Sequence, residues 1–239
     1  MTDAMKVDII IPTFKRAEKL KRCLDSIIAQ TYQDWECLVV INGDDAETPK
    51  MLEKIDDKRI WFKTRGWNSY VIGAWNYYFE KFFKKRNRDA VMWVVDDVEL
   101  KPNCLEEAVK EMRYLFPDLD GVIGLHQECP DTPSYTFKWY GQVLLGKKFI
   151  ERYEAVGYKV CCPAYKHFYQ DEEMYMFALD LNRFSSCQEA QLIHYHPSFL
   201  KTNIDEAHNK VRFDIKKQDT NTYVERRKKG LIWGKSWEL

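Results

Sequence analysis

No glycine-rich loop follows the first apolar segment of this 239-residue chain, which argues against a nucleotidyltransferase. Net charge is absent too. The 37 basic and 37 acidic residues cancel, so no global field draws in nucleic acid or an anionic membrane. There is no CxxC pair. The seven cysteines are odd in number, and the adjacent Cys161 and Cys162 suit neither a zinc knuckle nor a disulfide framework. Reduced structural thiols in a cytoplasmic protein are the expectation. Long apolar runs are missing as well, since the stretch before Pro12 is too short for a signal peptide or a membrane span. No repeat or low-complexity segment appears.

Apolar and aromatic residues are plentiful. They make up 45% and 15% of the chain, with eight tryptophans and fourteen tyrosines. That supports a sizeable core, and it also suits a cleft where flat rings stack on sugars or bases. Length allows one large domain or two small ones. The pattern alternates. Strands are expected at 7–12, 35–43, 59–63, 90–97 and 120–126, and helices at 16–30, 48–55, 69–85 and 103–116. Alternation of this kind predicts an α/β doubly wound sheet with helices on both faces. Further on, 140–153 has a strand-like and a helix-like part, 171–182 reads as a helix and 188–197 as a strand. From 201 to 239 there are ten Lys/Arg against six Asp/Glu.

In doubly wound sheets ligands bind beyond the carboxyl ends of the strands. Pro12, Asn42 and the pair Asp96–Asp97 fall at such ends. Adjacent carboxylates after five core residues suit a hard divalent cation, because Mg²⁺ and Mn²⁺ take one or two carboxylates plus phosphate oxygens and water. Solvated turn residues or a helix cap are the plainer alternative, and Pro102 and Asn103 stand nearer the next helix start.

The opening, with Pro12-Thr13-Phe14-Lys15-Arg16 and then Gln30-Thr31-Tyr32-Gln33-Asp34-Trp35-Glu36, resembles family-2-type glycosyltransferases with the GT-A fold. The likeness continues through Gly73-Ala74-Trp75-Asn76 to the acidic pair, covering about 6–125 strongly and 165–197 more weakly. It implies a mixed GT-A sheet in one domain. Residues 1–125 would form the nucleotide-sugar-binding half and 126–200 the acceptor-side, catalytic half, with 201–239 as a C-terminal arm. The donor-binding set it implies is Pro12, Thr13, Phe14, Arg16, Asn42, Arg65, Asn76 and Asp96. Asp97 matches the metal-binding Asp of an Asp-x-Asp motif whose first member is Val95 here, and His194 and His196 are further candidate ligands for Mn²⁺ or Mg²⁺. The segment 169–177 resembles the Glu-Asp-x-Glu segment and places the catalytic base on Asp171, with Gln170 where a Glu is usual. Ile41 stands where many members have a uracil-contacting Asp, so Asn42, Asp44 or Asp45 would have to bond the base.

The activity so implied is metal-dependent, inverting transfer of a sugar from a nucleotide-sugar donor, a UDP-sugar first, to an acceptor hydroxyl. The acceptor is a saccharide or, given Arg226, Arg227, Lys228 and Lys229, a hydroxymethylated base in DNA. The rival reading is a non-catalytic nucleotide-sugar-binding module. The arm would close over the donor or join a second subunit, and Trp67, Trp75 and Trp139 are candidate stacking platforms.

Overall fold

The computed structural model describes residues 4–130, 140–196, 209, 211 and 215–239. Within them, eight strands form one sheet in the order β3-β2-β1-β4-β7-β6-β8-β5. The strands are β1 (Val7–Thr13), β2 (Trp35–Asn42), β3 (Ile60–Arg65), β4 (Ala90–Trp93), β5 (Val98–Leu100), β6 (Val122–Glu128), β7 (Val143–Gly146) and β8 (Phe184–His194). The first four pair in parallel, and β7 joins antiparallel to both β4 and β6.

The parallel half is dictated by pattern. All seven residues of β1 are buried, and successive side chains alternate between two cores. Val7, Ile9 and Ile11 face α1 (Ala17–Ile28), whose Leu20, Cys23, Leu24 and Ile27 recur at helical spacing. Ile10 faces α3 (Tyr70–Tyr78). Short α2 (Glu47–Leu52) links β2 to β3, and α5 (Cys104–Leu115) covers the first core. The chain leaves β1 toward β2 on one side and returns through β4 on the other, so the switch in strand order lies between β1 and β4. A crevice opens at such a point.

Two departures from simple periodicity shape the site. Residues 90–97 are not one strand. β4 stops at Trp93 and β5 begins at Val98, which leaves Asp96 and Asp97 in the turn between them. β8 pairs parallel with β6, and its register shifts so that Leu125 faces Cys187 while His126 faces Gln191. Residues 188–190 therefore oppose no β6 residue, and the bulge redirects the strand end. That end also pairs with β5, Val98 opposite His194, so His194 arrives beside Asp97.

Helix α3 runs through a π-helical turn, Phe79–Phe83, into α4 (Lys84–Arg86). In a straight α-helix Tyr78 and Arg86 would point about 80° apart; one wide turn absorbs a residue and brings them to about 20°. Both then reach buried Asp8, with Tyr78 Oη at 2.6 Å and Arg86 Nε at 2.5 Å. Beyond β7 come α6 (Lys147–Glu151), α7 (Gln170–Asp180) and α8 (Lys216–Lys228). Ile232 and Trp233, after α8, belong to the second core. No helix among the described residues is long and apolar enough to cross a membrane.

Candidate active site

A cavity of about 400 Å³ occupies the crevice. The ends of β1, β2 and β8 line it, together with the β4–β5 turn, the start of α3 and the first turn of α7. It brings together Pro12, Thr13, Phe14, Arg16, Asn42, Asp96, Asp97, Asp171, His194 and His196. Arg65 and Asn76 do not line it. Arg65 donates to the Gly73 carbonyl at 2.8 Å and lies over the Trp67 and Tyr77 rings. Asn76 is buried and holds the Cys161 backbone at both its N–H and its carbonyl, at 3.0 and 2.7 Å. Both side chains therefore tie elements together instead of facing the crevice.

The two adjacent carboxylates meet different partners. Asp96 accepts from Thr13 Oγ1 at 2.8 Å on one oxygen and from Arg16 at 2.9 Å on the other. It thereby fixes the loop after β1. Asp97 has Arg16 at 3.5 Å and His194 Nε2 at 3.3 Å. Gln127 Oε1 lies 3.0 Å from His194 Nδ1 and sets the ring's orientation, while the His196 ring lies edge-on at 5.3 Å. Burial raises the Asp96 carboxyl, with Arg16 opposing and the Asp97 charge adding. Burial would raise Asp97 as well, but the His194 hydrogen bond and charge, Arg16 and His196 hold it far below the usual carboxylate range. The two carboxyls are therefore pushed in opposite directions, Asp96 upward and Asp97 downward.

The Asp97 carboxylate is the kind of oxygen ligand that Mn²⁺ and Mg²⁺ take, and the adjoining imidazole nitrogen suits Mn²⁺ better than the harder Mg²⁺. No group of three or more His, Cys, Asp or Glu side chains among the described residues is arranged to hold an ion by itself. A cation here would draw further ligands from phosphate and water, as Mg²⁺ ordinarily does.

Residues expected to bond a nucleotide base make contacts within the chain. Ile41 is fully buried. Asn42 accepts from Ser69 at 2.7 Å and so anchors the loop before α3. Asp45 is turned inward, accepting from the Lys15 N–H at 2.7 Å and from Thr48 at 3.0 and 2.7 Å. Phe14 rests over Gly43, where a Cβ would lie 3.0 Å from its ring; Gly43 also has φ +67, which favours glycine. Among the proposed platforms, Trp75 is buried and stacked on Trp93 at 4.7 Å, Trp67 is 62% exposed, and Trp139 lies outside the described residues.

Several lining residues carried no sequence signal, among them Tyr70, Gln127, Gln142, His167 and Phe168. Gln142 accepts from the Val95 N–H at 3.0 Å and so supports the acidic turn. A lone glutamine or a tyrosine at a helix start has no motif to mark it.

The mixed sheet and its switch-point crevice with the acidic turn have the form of the GT-A fold. The family model described as "Glycosyl transferase family 2" matches residues 8–169, and the chain belongs to that family. Among relatives, the "Uncharacterized glycosyltransferase RT0329" of Rickettsia typhi is 27% identical over 130 residues, 54% of this chain and 39% of that one. The chain spans only 26% and 39% of the lengths of curated relatives that it matches. In structure it is similar to S. aureus TarS 1-349 in complex with UDP, with a TM-score of 0.65, 14% identity and coverage of 92% of this chain and 78% of that one. It is likewise similar to the mannosyltransferase PcManGT from Pyrobaculum calidifontis in complex with GDP-Man and Mn²⁺, with a TM-score of 0.61, 16% identity and coverage of 82% and 58%.

Proposed function

We propose that this chain transfers a sugar from a nucleotide-sugar donor, a UDP-sugar first, to a saccharide hydroxyl with inversion at the anomeric carbon. The observation that carries the reading is the Asp97 carboxylate 3.3 Å from His194 Nε2, in the same cavity as Asp171 on the first turn of α7. Asp97, helped by His194 or His196 and by phosphate and water oxygens, would hold Mn²⁺ or Mg²⁺. When bound, such an ion offsets charge on the departing diphosphate by an amount on the order of several kcal/mol. Asp96 and Arg16 hold the Thr13–Phe14 loop against the nucleotide. Asp171 takes the proton of the acceptor hydroxyl as its oxygen bonds the anomeric carbon. The bond from that carbon to the diphosphate oxygen breaks, and the nucleoside diphosphate leaves with the electron pair. Help from a general base of this kind is worth roughly 100- to 10,000-fold.

A saccharide acceptor is preferred over a DNA base because the chain carries no net charge and the basic run 226–229 loses Arg226 to the interior, with Arg227, Lys228 and Lys229 exposed. Arg226 is buried against Glu173, and Lys228 pairs with Glu225 at 2.8 Å.

The test incubates the protein with Mn²⁺ and UDP-glucose, UDP-N-acetylglucosamine or GDP-mannose, and measures released nucleotide. Wild type should release nucleotide from at least one donor. Asp97→Ala should abolish release, and Asp171→Asn should lower it by about 100-fold or more. Turnover by Asp97→Ala at the wild-type rate would overturn the assignment. A product retaining the donor's anomeric configuration would overturn inversion.

A further inference from the structure

The family match ends at residue 169, yet the turn carrying Asp171 is gripped from beyond it, by α8. The carboxylate of Asp219 is fully buried and accepts three consecutive backbone N–H groups, those of Lys166 at 3.2 Å, His167 at 2.8 Å and Phe168 at 2.9 Å. Tyr169 follows at φ +69, a backbone state that a side-chain-bearing residue rarely holds unless its surroundings impose it. Here they do. Its ring stacks on Tyr223 at 4.4 Å, 11° from parallel, and its hydroxyl lies 2.9 Å from Thr220 Oγ1. Past Asp171, Tyr223 donates to Glu172 at 2.6 Å and Arg226 forks onto Glu173 at 2.8 and 2.9 Å. Glu173 also accepts from the Trp233 N–H at 2.7 Å and from Tyr165 Oη at 2.5 Å.

Asp219, Thr220, Tyr223 and Arg226 lie on one stripe of α8, at i, i+1, i+4 and i+7. They hold residues 166–169 before Asp171 and residues 172–173 after it. Asp171 lines the cavity between these anchors, as do His167, Phe168 and Tyr169. We propose that this stripe, with Asp219 at its head, is a positioning element of the transfer reaction. It sets the place of the Asp171 carboxylate through the backbone of residues 166–169, and it rests on the reading of Asp171 as the base. A buried carboxylate receiving three amides is a stiff support, because each charge-assisted hydrogen bond is roughly twice as strong as a neutral one. A general base needs such support, since a misplacement of about 1 Å costs on the order of 100-fold.

The experiment compares Asp219→Asn, Asp171→Asn and the double variant. The donor is whichever sugar nucleotide of the panel wild type turns over fastest, with Mn²⁺ present and water as acceptor. Hydrogen exchange at the 166–168 amides is measured in parallel. Asp219→Asn should speed exchange there by tenfold or more and lower kcat by about 10- to 100-fold, with the donor KM within about threefold of wild type. The double variant should fall no more than about threefold below Asp171→Asn, because Asp219 acts through Asp171. Unchanged exchange, a wild-type kcat well below the melting midpoint, or fully multiplicative losses would each overturn the proposal. If Asp219→Asn does not fold, Tyr223→Phe enters the same cycle, with an expected two- to fivefold loss; no loss overturns the proposal. Wild-type activity in Asp171→Asn instead sinks the base assignment itself, whereas an impaired Asp171→Asn beside a normal Asp219→Asn sinks the positioning role alone.

Discussion

Thr13 shows how a single hydroxyl can organise a site. Its Oγ1 donates to the buried Asp96, which in turn holds Arg16, so the loop after β1 is fixed by two hydrogen bonds to one side chain. Thr13→Val keeps the shape and removes the donor, leaving an Asp96 oxygen short of a partner in the interior. The expected cost is about 1–3 kcal/mol of stability, read from urea unfolding, together with a raised donor KM. A midpoint unchanged from wild type would show that water replaces the hydroxyl without loss. The neighbouring acids illustrate what a dipeptide hides. Burial raises Asp96, whereas Asp97 is lowered chiefly by His194, 97 residues further along the chain, and that contact is not written in the motif.

At the scale of elements, the parallel strands and α1 follow from periodicity because they bury apolar residues at regular intervals. Helix α8 does not, for a physical reason. Its buried residues are Asp219 and Arg226, so the face it turns inward reads as polar in sequence. Within the arm, α8 docks on α7 through the Arg226–Glu173 pair, and Val211 ahead of it lines the cavity. The role implied for Asn76 failed to show itself similarly. The backbone it holds at Cys161 lies 85 residues away, and family likeness could only place it on a helix. Arg226→Met should leave the Glu173 charge buried without its partner and cost about 3–5 kcal/mol. Adding Glu173→Met should recover part of that loss in a double-mutant cycle. A single variant as stable as wild type would mean that the pair contributes nothing net.

On the scale of the whole molecule, one sheet runs through both expected halves, because β8 from the later half pairs with β5 from the earlier one. The cavity opens at the carboxyl ends of the parallel strands, while ion networks lie elsewhere on the sheet. Arg86 and Arg88 bracket Asp8 and Glu36, and Arg152 and Arg183 bracket Asp120. Burial alone would raise the Asp120 carboxyl, but the hydrogen bond and charge of Arg152, with Arg183 and Lys148, bring it below the usual range. A depressed folded value contributes stability above the unfolded value of about 3.9 and loses it as pH falls through the folded one. Asp120→Asn should therefore lower the melting midpoint at pH 7 and lower it much less at pH 3. Equal losses at both pH values would rule out an ionic origin.

All seven cysteines are buried and unbridged. Burial pushes the thiols of Cys23, Cys37, Cys104, Cys161, Cys162 and Cys187 upward, Cys162 to about 12, so almost none is thiolate near neutrality. An alkylating dye would then find nothing to attack until part of the fold opens. Read residue by residue in a mass spectrometer, the order of labelling becomes a clock for which layer lets go first, with Cys161 and Cys162 timing the wall behind α3 and Cys23 timing the helix beside the acidic turn.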